Sequence, residues 1–185
     1  ASAQVANNAA LTLGGALASG GSVTNSSGRL TEITSGGDDS GISFTVAGTD
    51  VNGDSMTESI TGADSGAATG TKYFKTITSI TAVGDPAGTV IAGTTADAAD
   101  VIFKGRTRVR GLTIVNDAAA GTVDIVNTSD AGAITSGTST FKMGTVADAT
   151  AVSGVAIPED GVLFKDGAYV KFAIGKCESL TVFRD

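Results

Sequence analysis

Apolar and polar residues alternate in short runs along most of this chain, and each run stops at glycine, aspartate, asparagine or serine. ISFTVAG sets Ile42, Phe44 and Val46 on one side. SMTESI sets Met56, Glu58 and Ile60 against Thr57 and Ser59. AYVKFAI sets Val170, Phe172 and Ile174 against Tyr169, Lys171 and Ala173. Successive side chains of a strand point to opposite faces, so a period of two builds a half-buried strand. RLTEITS, GTVIAGTT, RVRGLTIVND, GTVDIVNTSD and LTVF add further strands, and TKYFKTITSITAVG supplies one long strand or two. No segment carries an apolar stripe at helical spacing, and Val146–Ala156 could form one helical turn at most. The expected fold is all-β, with two small antiparallel domains of β-sandwich or barrel-like form.

Residues 1–28 hold no ionisable side chain, and the first is Arg29. Two readings stand side by side: a floppy terminus, or an extended arm that adds a strand to a neighbouring subunit. Leu11, Leu13 and Leu17 would anchor such an arm. The first β domain is expected over 29–100 and the second over 101–185. The seam is placed at TADAADVIF, where small and acidic residues separate two strand-rich halves.

Charge and missing residue types narrow the function. The formal net charge is −7, which disfavours nucleic acid and anionic membranes as partners. Histidine is absent, removing the commonest general base and metal ligand. A single cysteine, Cys177, permits no intramolecular disulfide. With no basic leader segment at the N-terminus, this points to assembly in a reducing cell. No apolar run is long enough for a transmembrane helix. The reading is non-enzymatic, with no cofactor and no metal.

Several motifs need weighing. TDVNGDSMTESITG presents Asp50, Asn52 and Asp54 at alternate positions, as a calcium loop would. The glycine falls at the fourth position of the loop and the twelfth is Thr61, whereas an EF-hand needs glycine sixth and glutamate twelfth. Asn52-Gly53 between two alternating runs reads instead as a hairpin. KGRTRVRG alternates Lys104, Arg106, Arg108 and Arg110. In a strand all four would share one side, either as a solvated face or as a contact stripe for an acidic partner or neighbouring subunit. Ser139 and Lys142 match S-x-x-K, but the helix and partner motifs of that chemistry are missing. Asn25-Ser26-Ser27 and Asn127-Thr128-Ser129 fit the glycosylation sequon, without a secretion signal to support them. Cys177 sits in an expected turn beside Lys176, which would lower its pKa. Tyr73, Phe74, Tyr169 and Phe172 are spaced as core residues rather than as a sugar-binding platform.

ISFTVAGTDVNGDSMTESITG followed by GTKYFKTITSITAVG resembles small structural proteins of tailed bacteriophages, marine ones especially. GRTRVRGLTIVND, GTVDIVN and IPEDGVLFKDGAYVKFAIGKCESLTVF resemble the β-rich ends of the same class. The likeness spans residues 29–185 and rests on T-x-x-I-T-G and DGV-x-F-x-DG-x-x-V elements. It implies a virion component: a capsid decoration protein of cement or knob type, oligomeric and bound to the major capsid protein. A neck or tail component of the same particle is the nearest alternative, and a carbohydrate-binding or adhesin module lies further off. No functional residue transfers, because the class has no catalytic motif to match.

Overall fold

The computed structural model describes residues 2–3, 22–135, 137–158 and 160–185. The chain is all-β and divides into two compact units, residues 1–95 and 96–185. The first contains β1 (Ser2–Ala3), β2 (Val23–Ser35), β3 (Ser43–Thr49), β4 (Ser55–Thr61) and β5 (Ala67–Val83). The division falls inside β6 (Val90–Phe103), so Thr95–Asp100 continue a strand rather than forming a loop. The second unit adds β7 (Thr107–Asn116), β8 (Gly121–Asn127), β9 (Thr138–Thr145), β10 (Val152–Ala156), β11 (Val162–Phe164), β12 (Ala168–Ala173) and β13 (Cys177–Arg184).

In the first unit the sheet order is β4-β3-β5-β2-β6, with β1 beside β6 through Ser2–Ile91 and Ala3–Val90. TKYFKTITSITAV lies within the single strand β5, whose 17 residues serve two partners. Its N-terminal part pairs with β2 and its C-terminal part with β3. Alternation sends Phe44, Val46, Met56 and Ile60 to one core with Ile33 and Phe74, and the register shift between β3 and β5 lets both Ile77 and Ile80 join it. Residues 23–28, expected in a terminal arm, belong to β2. Leu11, Leu13 and Leu17 lie outside the described residues.

Two features shape this unit. Gly48 sits at a register shift between β3 and β5, where an added Cβ would collide with the Thr76 carbonyl oxygen. A second irregularity, in β5 opposite Leu30–Glu32, turns the amides of Thr71 and Lys72 toward Glu58 on β4. Glu58 Oε1 accepts from Thr71 N at 2.6 Å and Thr71 Oγ1 at 2.9 Å, and Oε2 accepts from Lys72 N at 3.3 Å. A Cβ at Gly70 would come within 2.5 Å of the same carboxylate, so glycine leaves the space the anion fills.

The second unit is a sandwich. The C-terminal part of β6 joins β12, β8 and β9 in one layer. The other layer centres on β7, flanked by β13 on one side and by β10 and β11 in succession on the other. Val109, Leu112, Ile114, Val123, Ile125, Phe164 and Val170 fill the space between the layers. The expected polar side of AYVKFAI is a correction: Tyr169 is fully buried. The segment after β8 covers this second face, and a Cβ at Gly137 would collide with Val126, the cross-strand neighbour of Tyr169. Ile174 lies beyond the strand end in the turn to β13 and is exposed.

Candidate interaction surface

β7 alternates Thr107 and Val109 inward, then Leu112, Ile114 and Asn116, so its parity changes at Arg110–Gly111. The register with β13 shifts there too, stepping from Phe183–Gly111 to Arg184–Val109 and leaving Arg110 out of the ladder. This β-bulge allows one strand to serve the core along its whole length and still turn a second face outward. Cross-strand partners share a face. The outward face therefore forms three rows: Ala156, Gly111 and Phe183; Gly154, Thr113 and Thr181; Val152, Val115 and Ser179.

None of these nine side chains is charged. Val152 is 63% exposed and Phe183 55%, so no described residue of this unit covers the two outer strands of the face. Gly111 and Gly154 keep it flat, and the Phe183 ring would touch a Cβ at Gly111 at 3.7 Å. At ordinary strand spacing and rise the nine positions span about 300 Å². That is the low end of the range for the largest apolar patch of a single-chain protein, with Thr113, Thr181 and Ser179 interrupting it, and well under the ~800 Å² each partner contributes to a standard interface. The face is suited to packing against protein, as part of a larger contact or as one of many repeated ones.

Arginines mark the end of the face beside the bulge. Arg110 Nε donates to Asp185 Oδ1 at 2.8 Å and Oδ2 at 2.7 Å, and Nη2 lies 2.6 Å from Oδ2. The hydrogen bond from Arg110 holds the Asp185 carboxyl below the usual range, and the same bond raises the guanidinium. Arg108 Nη1 donates to the Asp160 carbonyl at 3.0 Å. Asp185 is further tied to β7: its N–H donates to Arg108 O at 3.2 Å and its carbonyl accepts from Thr107 Oγ1 at 2.7 Å.

The four-residue basic stripe is corrected by this geometry. Lys104 and Arg106 lie in the bend between β6 and β7, with Gly105 at φ +119°, and only Arg108 and Arg110 lie on a strand. The structure brings Arg108 and Arg110 together with Asp185, 75 residues on from Arg110. No local sequence signal joined that carboxylate to the arginines.

The remaining motifs resolve into structure. TDVNGDS is the β3–β4 hairpin loop, with Thr49 paired to Ser55. Asp50 Oδ1 accepts from Asn52 N at 2.8 Å and Asp54 N at 3.0 Å, and Gly53 takes φ +85°. The carboxylate thus serves the loop's own amides. Among the described residues no three Cys, Asp or Glu side chains gather as a metal-binding group. Ser139 lies on β9 rather than at a helix start, and its hydroxyl donates to Asp124. Asp124 also faces Lys171, at 3.7 Å. Both sequon asparagines use their amides internally: Asn25 Nδ2 donates to Phe74 O at 3.1 Å and Asn127 Nδ2 to Asp166 at 2.8 Å.

Cys177 opens β13 rather than lying in the turn, and burial, with a smaller contribution from Asp117, pushes its thiol up. The expected lowering by Lys176 is overturned, since that side chain packs against Gly121. Tyr73, Phe74 and Tyr169 are buried and Phe172 packs against the second core. Comparison with protein-family models, with curated proteins and with solved structures gives no match.

Proposed function

We propose that this chain is a non-enzymatic structural component of a bacteriophage virion, assembled in the host cytoplasm, that decorates the capsid by binding the major capsid protein. One observation carries the reading: an uncharged, flat, three-row sheet face ending in arginines, on a chain of net charge −7. Such a face loses little solvation when covered by protein. Its modest area fits a protein that binds a repeating lattice in many copies, where linked weak contacts add to a strong one. Self-association into an oligomer would supply that multiplicity.

The test is a pull-down with tagged protein from lysate of infected source cells, with mass spectrometry and negative-stain imaging. Recovery of capsid shells labelled over their faces supports decoration. Recovery of portal or tail complexes instead assigns the chain to the neck or tail. Recovery of neither sinks the virion reading. The buried aromatics give no support to a sugar platform, and a glycan array with reproducible hits would count against the proposal.

A further inference from the structure

The second unit holds a cleft that the reading above does not use. Between β6 and β13, which belong to opposite layers of the sandwich, lies a slot of about 390 Å³. Val170, Phe172, Leu180 and Val182 line it with Ile102, all packed in or against the core. Phe172, Cys177 and Glu178 lie at one end. The Arg184 guanidinium, 4.4 Å from the centre of the Phe103 ring, marks the opposite end.

One carboxylate is directed into this apolar space. Asp100 pairs across the ladder with Val170, and Val170 faces the core, so Asp100 shares its face. Its Oδ1 accepts from the neighbouring Val101 amide at 2.9 Å. Glu178 supplies a second negative charge at the rim. Arg184 also borders the slot, but its cation rests on an aromatic face. A mostly apolar slot with a few polar groups is the usual form of a small-ligand site, and this volume lies at the small end of their range.

We infer that the slot binds a small primary alkylammonium ion, its chain against Val170, Leu180 and Val182 and its head group on the Asp100 carboxylate. The charge of the slot selects the head group. With its head group at the Asp100 end an alkanoate would meet Asp100 and Glu178 as like charges, the Arg184 cation lying at the opposite end, and an alcohol would forgo the charge-assisted bond. The inference stands independently of the virion proposal.

The experiment compares octylammonium, octanol and octanoate below their micellar concentrations, on the intact chain. Two readouts locate binding: amide shifts in ¹H–¹⁵N spectra, and the rate at which N-ethylmaleimide alkylates Cys177, the only thiol. Octylammonium is expected to shift Val101, Val170 and Leu180 amides and to slow alkylation, while octanoate does neither. Asp100→Asn is expected to weaken octylammonium binding about tenfold, to the level of octanol. Equal binding of all three probes, or shifts confined to other surfaces, would overturn the assignment. The head-group comparison needs no variant, so misfolding of D100N would leave it decisive.

Discussion

At the scale of single residues, two glycines separate conformational need from mere tolerance. Gly48 faces the Thr76 carbonyl oxygen with no room for a Cβ, whereas Gly41 has nothing within 4 Å of where one would stand. Gly48→Ala is therefore expected to lower the unfolding free energy by about 1–3 kcal/mol, as overpacking does. Gly41→Ala should stay within roughly 0.5 kcal/mol of the parent, and urea denaturation of both variants measures the contrast. The Asp185–Arg110 clasp gives a pH prediction. Asp185 is held below its ordinary value, so its contribution is complete above the unfolded-state pKa and disappears as pH falls through the lower folded-state value. A ¹³C titration should place the Asp185 midpoint below the usual ~3.9, and Arg110→Gln should raise it toward that value. An unchanged midpoint in the variant would mean that the clasp does not persist in solution.

At the scale of elements, the sequence displayed strands better than it displayed their interruptions. Phe44, Val46, Ile60, Val170 and Phe172 were legible as core because alternation reports a face directly. The basic stripe failed because alternation does not mark where a strand begins. Gly105 at φ +119° bends the chain between Lys104 and Arg106, and nothing in KGRTRVRG distinguishes that glycine from Gly111 inside β7. The bulge at Arg110 was invisible because it depends on register with β13, some 70 residues away. The hairpin at Asn52-Gly53 was legible, although Asp50 organises a loop of five residues rather than two. Asp50→Ala should destabilise the protein by about 1–2 kcal/mol, leaving two loop amides without their acceptor, whereas EDTA should leave the parent's melting temperature unchanged. A large EDTA-induced drop would reinstate the calcium reading. Glu58 makes the parallel case on β4. Glu58→Ala should cost about 1–2 kcal/mol and speed amide exchange at Thr71 and Lys72, whose N–H groups it accepts.

At the scale of the whole molecule, charge is unevenly distributed. Residues 1–95 carry three basic and eight acidic side chains, a net of −5, and residues 96–185 carry nine and eleven, a net of −2. The less acidic unit holds the uncharged face and the arginines beside it. If that face meets the capsid, Thr113→Glu, at the centre of the three rows, should leave melting within a few degrees of the parent and weaken particle binding at least tenfold. Such a split is expected when a charge is placed in the middle of an interface but on the outside of a fold. Sedimentation of particles with labelled protein reads the binding, and full retention of the variant would exclude this face as the contact.

The same three rows bear on behaviour in crowded solution. The net charge of −7 gives the chain a negative potential that keeps copies apart, but Ala156–Gly111–Phe183 and the rows beside it carry no charge of their own. Raising salt from 0.1 M to 1 M contracts the Debye length from about 10 Å to about 3 Å. Repulsion then ceases to hold approaching molecules beyond the reach of this window, and they can meet through it face to face. Concentrated salt should thus cluster the protein in one orientation rather than at random, favouring ordered over amorphous precipitate.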